Sequence, residues 1–274
     1  MNIKKLPIIL IITSIFLVSI VFQLNQDLQV RAEGATLEVK ADGSADYTNI
    51  QDAIDNASPG DTVYVHEGKY FENIVIDKSI SLIGENIENT IINGQGLDTV
   101  ISLDLHSNYT KISGFTIQNA GYNWYRAGID VNSDNNIISG NLIQSQRFGI
   151  TLDFWAHNCR IFNNTFTGNS YGVKIYSTAP NNNIIYRNNF IENYIHGFDD
   201  SKGIWDYNGE GNYWDDYNGT DNDGDGIGDT PYYISGASTQ DNNPLMEPVN
   251  TPGFELLIAI LAIIIVYLIK KKKK

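Results

Sequence analysis

The chain has 274 residues and a formal net charge of −14, with 18 basic against 32 acidic side chains. This excess of acid would repel the phosphates of nucleic acid, which excludes nucleic acid as a partner and makes divalent cations attractive ones. A single cysteine, Cys159, excludes a scaffold held together by disulfide bonds. Residues 33–250 are more acidic than the whole chain, with 10 basic and 30 acidic side chains and a net charge of −20.

Residues 1–32 are predicted to form an export signal. Two lysines precede the apolar run 6–22, and Val30-Arg31-Ala32 offers small residues at a cleavage site. The apolar run is long for a signal peptide, so an uncleaved anchor is the alternative. We expect the domain that follows to lie outside the cytoplasm in either case.

A short helix is predicted next, followed by strands. Apolar residues recur at helical spacing within residues 47–57, with Ile50, Ala53 and Ile54 on one face, and Pro59-Gly60 ends the helix. Strand-like runs follow at Thr62–Val65, Asn73–Ile76, Ile80–Ile83, Thr90–Ile92 and Val100–Leu103. A small amphipathic helix here would cover the unpaired backbone edge at the end of a stack of strands.

One phrase then recurs four times up to residue 200. An aliphatic residue is followed by small residues or asparagine, a second apolar pair, a polar turn, and glycine before an apolar residue. The phrase begins at Ile112, Ile138, Ile161 and Ile185, and its glycines are Gly128, Gly149, Gly172 and Gly197. Successive copies lie 21 to 26 residues apart, a period typical of a solenoid, and the period of two within each copy indicates strands.

The sequence therefore predicts an all-β fold, a right-handed parallel β-helix with three short strands per coil, six to seven coils and an N-terminal cap helix. Coils stacked about 4.8 Å apart would align equivalent residues in columns. One predicted column holds Asn135, Asn158 and Asn182, and another holds Asn141, Asn164 and Asn188. Their stacked amides would hydrogen-bond from coil to coil, and Ile150 and Val173 would point inward together.

Residues 36–247 resemble the pectin-lyase-like β-helices. The cap and first coils carry the resemblance in the phrases Ile50-Gln51-Asp52-Ala53-Ile54, Ser58-Pro59-Gly60-Asp61-Thr62-Val63 and Ser79-Ile80-Ser81-Leu82-Ile83-Gly84. The phrases Gly211-Asn212-Tyr213-Trp214-Asp215-Asp216-Tyr217 and Asp223–Pro231 resemble the NosD branch and the carbohydrate-binding and sugar-hydrolysis β-helices. The resemblance implies a polysaccharide-binding protein, a polysaccharide lyase or glycoside hydrolase, or an accessory protein that delivers metal.

A candidate ligand groove lies along the third strands. The long turn 119–127 projects aromatic and basic side chains beside it, which could stack on sugar rings and bind hydroxyl groups. The predicted ligand-binding residues are Trp124, Tyr125, Arg126, Arg147, Tyr171 and Tyr176. The repeat also predicts three sets of residues at equivalent positions in successive coils. These sets are Ala127, Phe148, Tyr171 and His196; Asp130, Thr151, Lys174 and Asp199; and Asn132, Asp153, Tyr176 and Ser201. An ordinary solenoid surface would show a similar alternation.

Catalysis on this surface has four weak candidates. A lyase could use Arg126 or Lys174 as its base, whereas a hydrolase could pair Asp130 with Asp153. The sequence does not choose between these chemistries and simple binding, and we favour binding without catalysis.

Residues 213–250 form an acidic segment after the predicted β-helix domain, 33–212. Carboxylates at Asp221, Asp223, Asp225 and Asp229, with a glycine at the sixth place, match nine positions of an EF-hand-type loop. We predict a structural Ca²⁺ site in which Ile227 offers its carbonyl and Asp241, or Asp215 or Asp216, supplies the remaining carboxylate. Tyr232 stands where such a loop has glutamate, and an acidic loop without metal is the alternative. The four histidines are scattered, so no copper site is predicted.

Residues 251–274 are predicted to anchor the protein at the cell surface. Pro252-Gly253-Phe254 precedes an apolar helix and five terminal lysines, an order that resembles the sorting tail of archaeal surface proteins. The resemblance implies a sorting peptidase that removes the helix and a lipid that replaces it. The alternative is an ordinary membrane anchor, whose terminal lysines would lie in the cytoplasm.

Overall fold

The computed structural model describes residues 34–123, 125–176, 182–201, 203–236 and 239–250. The predicted export signal and the predicted sorting tail lie outside the described residues. Within these ranges no helix has the length and apolarity needed to cross a membrane. Regular structure here is almost entirely β, with one helix close to the N-terminal end.

The elements follow the chain in this order: β1 (Thr36–Val39), α1 (Ile50–Asn56), β2 (Thr62–Val65), β3 (Gly68–Tyr70), β4 (Ile74–Ile76), β5 (Ser81–Gly84), β6 (Thr90–Asn93), β7 (Ile101–Leu103), β8 (Lys111–Ser113), β9 (Thr116–Gln118), β10 (Ala127–Val131), β11 (Ile137–Ser139), β12 (Leu142–Gln144), β13 (Phe148–Leu152), β14 (Arg160–Phe162), β15 (Thr165–Thr167), β16 (Tyr171–Ile175), β17 (Ile184–Tyr186), β18 (Asn189–Ile191), β19 (Ile195–Asp199), β20 (Tyr213–Trp214), β21 (Tyr232–Gly236) and β22 (Thr239–Asp241).

These strands build three parallel sheets, because every third strand pairs with the equivalent strand of the next coil. The first sheet has the order β1-β2-β5-β8-β11-β14-β17, and the second has β3-β6-β9-β12-β15-β18-β20. The third sheet runs β4-β7-β10-β13-β16-β19-β21 and ends on β22, which is antiparallel to β21. The predicted parallel β-helix with three strands per coil is confirmed.

Aliphatic columns fill the interior of the coils. Ile138 pairs with Ile161, and Ile150 pairs with Val173, and all four side chains are fully buried. The inward direction predicted for Ile150 and Val173 is therefore confirmed. Each such side chain contributes about 1.5–3 kcal/mol through removal from water, and each depends on the coils above and below for that burial.

Helix α1 closes the N-terminal end with side-chain hydrogen bonds as well as apolar contact. Its Ile50, Ala53 and Ile54 are buried, as predicted, and the helix is shorter than the predicted range. The Glu72 carboxylate accepts hydrogen bonds from the first helical amides, Ile50 N and Gln51 N, each at 2.9 Å. The Gln51 side-chain amide pairs with the backbone N–H and C=O of Val75, at 2.8 and 3.1 Å, and so occupies part of the edge of β4.

Buried amides form a ladder at the turn between the first and second sheets. The Asn141 Nδ2 donates to Asn164 Oδ1, and Asn164 Nδ2 donates in turn to Asn188 Oδ1, each at 3.1 Å. Asn188 continues the ladder to Asn212, whose backbone N–H donates to the Asp241 carboxylate at 2.7 Å. The column predicted from Asn141, Asn164 and Asn188 is confirmed.

The outer asparagine column has a different origin. Asn135, Asn158 and Asn182 all have φ between 53 and 61°, and Asn182 Nδ2 donates to Asn158 Oδ1 at 3.3 Å. Asparagine tolerates this left-handed conformation better than most residues do. The predicted column of Asn135, Asn158 and Asn182 therefore marks a repeated turn in the backbone.

In the last coil the predicted alignment is wrong by one residue. Strand β16 pairs with β19 so that Tyr171 faces Ile195 and Lys174 faces Phe198, where the repeat had aligned His196 and Asp199. The pairing keeps one spacing of 24 residues along the coil, from Ile161 with Ile185 to Val173 with Gly197, whereas the predicted alignment placed Gly197 opposite Gly172. Gly197 therefore occupies an inward position, where a side chain would lie 2.7 Å from the Trp205 ring.

The same shift turns Asp199 inward. Its buried carboxylate accepts hydrogen bonds from Trp205 Nε1 at 2.9 Å and from the backbone N–H groups of Ser201 and Gly203, each at 2.7 Å. The Ser201 column predicted from the same alignment is shifted with it, and Asp199 serves the closure of the last coil rather than the outer surface.

Replacement of Asn164 by alanine tests the amide ladder. The substitution removes acceptors for Asn141 and leaves the buried carbonyls of Ile138 and Phe162 without their donor. Since each buried unpaired group costs about 1–3 kcal/mol, we expect Asn164→Ala to lower the free energy of unfolding by about 3–5 kcal/mol in urea melts. Exposed Asn89 is the matched control, and Asn89→Ala should change it by less than about 0.5 kcal/mol. Equal small losses in both variants would contradict a structural role for the ladder.

The pH dependence of the N-terminal coils provides a second test. His66 Nε2 contacts Glu38 and its Nδ1 contacts Glu85, each at 3.1 Å, and these hydrogen bonds raise the pKa of His66 above 6.5. A raised folded-state pKa gives stability that is complete below about pH 6.5 and is lost as the pH rises through the folded value. The melting temperature of the wild type should thus exceed that of His66→Gln at pH 5.5, and the gap should shrink by pH 9. A pH-independent gap for His66→Gln would contradict the assignment.

Candidate functional site

The outer face of the third sheet gathers aromatic side chains because the strands break their alternation at glycine. A side chain at Gly149 would lie 3.0 Å from the core ring of Phe166, and one at Gly172 would lie 2.8 Å from Phe190. Glycine and the residue after it both face the core, so the residue before each glycine, Phe148 or Tyr171, points outward. We call the outward side chains of β10, β13, β16 and β19, together with Tyr176, the third-sheet face.

Lys174 lies at the centre of the third-sheet face among four aromatic rings. Its Nζ is 4.4 Å from the ring centroid of Tyr176 and 4.8 Å from that of Phe198. The rings of Tyr171 and Phe148 follow at 5.1 and 5.5 Å. Burial, with the positive charge of Arg147, lowers the pKa of Lys174, while Asp200 opposes that shift. The amine is therefore held by cation–π contacts and is partly removed from water.

The two predicted arginines are engaged with other groups. Arg126 forms an ion pair with Asp98 at 2.6 Å. Arg147 Nη1 donates to the carbonyl of Tyr122 at 3.2 Å, and its guanidinium lies over the rings of Tyr122 and Phe148 at 5.7 and 5.5 Å. These contacts fix the long turn 119–127 against the start of the third-sheet strands.

Asp130 is the carboxylate buried most deeply in the third-sheet face. It accepts hydrogen bonds from Thr151 Oγ1 and, at 2.8 Å, from Asn132 Nδ2. Burial raises the pKa of Asp130, and the negative charge of Asp153 adds to the rise while the two hydrogen bonds oppose it. Asp153 also contributes to raising the pKa of Tyr176 to about 12, mainly through burial of that phenol. Asp130 and Asp153, the predicted pair, therefore lie close enough for the charge of Asp153 to raise the pKa of Asp130.

Exposed aromatic rings lie along both ends of these strands. Tyr122 and Tyr125 are about four-fifths exposed on the long turn before β10, whereas the predicted Trp124 lies outside the described residues. Phe154 and Trp155 are more than half exposed in the turn after β13. This second pair was not predicted, although two adjacent aromatic residues in a predicted turn indicate exposed aromatic surface.

The acidic loop brings three of its predicted carboxylates together. Oxygen atoms of Asp221, Asp223 and Asp225 all lie within 4.8 Å of one another. Asp221 accepts hydrogen bonds from the backbone N–H groups of Gly224, at 2.7 Å, and Gly226, at 3.0 Å, which lower its pKa.

Two further predicted ligands have other partners. The Asp229 carboxylate accepts a hydrogen bond from Asn222 N at 2.8 Å. Asp241 is fully buried at the end of the amide ladder, where Trp214 Nε1 also donates to it at 3.0 Å, and burial raises its pKa to about 6. Asp241 is thus placed apart from the three grouped carboxylates. Ile227 lies in an antiparallel bridge with Leu245, which ties the loop to the following segment.

A second cluster joins a histidine to two acids behind this loop. His196 Nε2 contacts Asp215 at 2.9 Å and Asp216 at 3.3 Å, while Nδ1 lies 3.3 Å from the Asn193 side-chain amide. Because Asn193 Oδ1 already accepts a hydrogen bond from Asn169, its Nδ2 donates to Nδ1 and the imidazole proton lies on Nε2. Within the described parts of the chain, the grouped metal-ligating side chains are this cluster and the acidic loop, with one imidazole and no sulfur between them.

Comparison with known proteins supplies a family. The sequence profile described as "Periplasmic copper-binding protein (NosD)" matches residues 54–184 and 132–219, which together cover more than half of the chain. A probable ABC transporter binding protein NosD from Pseudomonas aeruginosa is 33% identical over 101 residues, which are 37% of this chain and 18% of that protein. A probable pectinesterase/pectinesterase inhibitor 6 from Arabidopsis thaliana is 40% identical over 81 residues, covering 26% of this chain and 14% of that protein.

Two solved structures are similar to the chain at low identity. The pectin methylesterase from carrot is 16% identical with a TM-score of 0.40, and the match covers 61% of this chain and 66% of that one. The pectin methylesterase from Aspergillus niger is 18% identical with a TM-score of 0.34, covering 64% of this chain and 77% of that one. The chain matches under a fifth of the length of the curated relatives, whereas the family profile spans its coils: this β-helix protein belongs to the NosD family.

Proposed function

We propose that this protein acts outside the cytoplasm and binds a polysaccharide on the third-sheet face. The observation that carries the proposal is the run of aromatic rings across successive coils. Phe148 and Tyr171 have ring centroids 5.2 Å apart, and Tyr171 and Phe198 follow at 6.2 Å. The family's description as periplasmic agrees with an exported protein.

The physical argument rests on what a sugar ring presents. One side of a pyranose is largely C–H and packs against aromatic rings, whereas its edge carries hydroxyl groups that need hydrogen-bond partners. The third-sheet face offers the half-exposed rings of Tyr171 and Phe198 around the Lys174 amine, next to a buried Phe148. The Asp130 and Asp153 carboxylates lie close enough to Tyr176 to raise its pKa. Since coils repeat about every 4.8 Å, a linear polymer lying along the stack would meet similar surroundings on each coil.

Replacement of Tyr125 and Trp155, two exposed aromatic residues at opposite ends of the third-sheet strands, tests this proposal. The full chain should retain at least one polysaccharide on a glycan array, and Trp155→Ala combined with Tyr125→Ala should weaken retention about tenfold, because each lost stacking contact contributes about 0.5–1.5 kcal/mol. The double variant should melt within a few degrees of the wild type, since both rings are largely exposed. Tyr109→Ala is the matched control, because that exposed ring lies in a different turn. Absence of any retained glycan, or an equal loss in the control, would contradict the proposal.

A catalytic role is the second candidate, and the raised pKa of Asp130 beside Asp153 favours it. A carboxyl that keeps its proton longer than usual could serve as a general acid to a second, ionised carboxylate. Incubation of the full chain with any glycan it retains, followed by a reducing-end assay, separates the two. Release that disappears in Asp130→Asn would favour a hydrolase over a binding protein.

The copper named in the family description does not fit the described residues. Copper sites in proteins draw on imidazole and sulfur ligands, whereas the two acidic clusters contribute a single imidazole between them. That imidazole also directs its Nε2–H to Asp215. Cys159 is buried, and burial raises the pKa of its thiol to about 12, which disfavours the thiolate that a metal would need. We therefore derive no step through copper.

A structural Ca²⁺ ion in the acidic loop remains part of our proposal. Three carboxylates close to one another repel unless a cation lies among them, and Ca²⁺ prefers six to eight hard oxygen ligands. An ion that binds only the folded state would stabilise it by about 2.7 kcal/mol at a hundredfold excess over its dissociation constant. Chelation should therefore lower the melting temperature of the full chain, and Ca²⁺ should restore it better than Mg²⁺.

Paired substitutions separate this site from general salt effects. Asp223→Asn with Asp225→Asn should abolish the response to chelator, because both carboxylates belong to the group. Asp104→Asn with Asp134→Asn removes the same charge elsewhere and should leave the response intact. A wild type that melts identically with chelator and with millimolar Ca²⁺ would refute the calcium proposal.

A further inference from the structure

A separate cleft of about 620 Å³ opens near the C-terminal end of the coils, between the turn after β20 and strand β21. Three tyrosines line it, together with the Asp216 carboxylate, Asn218, Thr230 and Pro231. The residues used in the argument are Asp216, Tyr217, Pro231, Tyr232 and Tyr233. We call this site the tyrosine cleft, and none of its residues belongs to the third-sheet face.

Two of the rings form a fixed corner. Tyr232 lies flat against Trp214, with ring centroids 4.2 Å apart and planes 7° apart, so that one of its faces is covered. The ring of Tyr217 stands at 65° to that of Tyr232, with centroids 6.5 Å apart. Tyr217 is held by its hydroxyl group, which donates to the Thr230 carbonyl at 2.6 Å. The corner is therefore built before any ligand arrives.

Asp216 places a negative charge at this corner. Its carboxylate accepts a hydrogen bond from the Tyr232 hydroxyl at 3.3 Å, and its other oxygen lies 3.3 Å from His196 Nε2. The hydrogen bond to a carboxylate makes the tyrosine ring richer in electrons, which strengthens its attraction for a cation. Burial and the charge of Asp216 raise the pKa of Tyr232, so the phenol stays protonated.

The surrounding sequence carries the same sign of charge. Residues 203–250 contain ten acidic side chains and no lysine or arginine. An anionic ligand would meet repulsion here, whereas a cation would be drawn in. A strongly hydrated metal ion needs several oxygen ligands, whereas this cleft has a single carboxylate and three aromatic rings.

We propose that the tyrosine cleft binds an organic ammonium ion of the trimethylammonium class. Its methyl groups would pack against the rings of Tyr217 and Tyr232, and its positive charge would face their π-electrons and the Asp216 carboxylate. This is the chemistry by which aromatic cages recognise quaternary ammonium groups. The assignment is independent of polysaccharide binding on the third-sheet face.

Choline and its uncharged isostere 3,3-dimethylbutan-1-ol test the assignment directly. Calorimetric titration of the full chain should show choline binding at least tenfold more tightly, since the two differ in charge and hardly in shape. The titration should be repeated with chelator and with saturating Ca²⁺, and the preference should hold in both. Equal affinity for the two compounds, or no binding of choline at tens of millimolar, would overturn the proposal without bearing on glycan binding.

Variants locate the site. Asp216→Asn keeps the shape of the side chain and removes its charge, and it should weaken choline binding at least fivefold. Tyr233→Ala removes an exposed ring of the cleft and should weaken binding by a smaller factor without changing the melting temperature. Asp77→Asn, an equal change of charge in the N-terminal coils, should bind choline as the wild type does. Unchanged affinity in both cleft variants would overturn the assignment even if choline binds.

Discussion

The buried amide ladders are the constraint on which the rest of the structure depends. Each coil must turn sharply between sheets, and every turn places backbone N–H and C=O groups inside the protein, where water cannot reach them. An asparagine side chain satisfies both kinds of group at once. Asn188 shows the pattern, because its Nδ2 donates to the carbonyls of Ile161 and Tyr186 while its Oδ1 accepts from Asn164 N. Coils can therefore stack only where these amides align, and that alignment also sets the columns of the third-sheet face.

The other two turns of the coil satisfy the same requirement with different residues. Gln146, Asn169 and Asn193 form a column in which Asn169 Nδ2 donates to Asn193 Oδ1 at 2.9 Å. At the remaining turn Cys159 stands between Asn136 and Asn183, and its thiol donates weakly to the Ser133 carbonyl at 3.4 Å. The cysteine is thus a buried link in a polar column, and the same burial raises the pKa of its thiol, which disfavours the reactive thiolate.

The sequence predicted the coils well wherever one coil repeats the previous one. The spacing from Ile138 to Ile161 to Ile185 gave the register of the first sheet, because each isoleucine must face the same core. Prediction failed at the last coil, where the neighbour is no longer another coil but Trp205 and the acidic segment. Gly197 matches the repeat glycine in the sequence, yet the strands keep the 24-residue spacing set by Ile161 and Ile185, which places Gly197 opposite Val173 and beside the Trp205 ring.

In the candidate sites, too, the features that follow from the repeat were predicted and those set by contacts outside the repeat were not. The repeat predicts which columns Tyr171, Lys174 and Tyr176 belong to. The structure adds what the spacing cannot show, namely that the Lys174 amine lies among four aromatic rings. Asp241 was predicted from composition as a metal ligand, because a carboxylate after an acidic loop is a natural candidate. Its position at the end of the asparagine ladder depends on its contact with Asn212, which is 29 residues away in the chain, and no local pattern encodes that contact.

The C-terminal end of the stack differs from the inner coils, because no further coil within the described residues covers it. An amide ladder offers a free donor at its last member, and stacked core rings leave a bare face, so both need a different kind of group to end them. An ionised carboxylate accepts hydrogen bonds and has none to donate, and Asp241 accepts from the backbone and side-chain N–H groups of Asn212 and from Trp214 Nε1. Tyr232 then covers Trp214, which itself stacks on Phe190 at 4.4 Å. Tyr232 therefore both covers the last ring of the stack and lines the tyrosine cleft, so this wall of the cleft takes its rigidity from the packing that ends the solenoid.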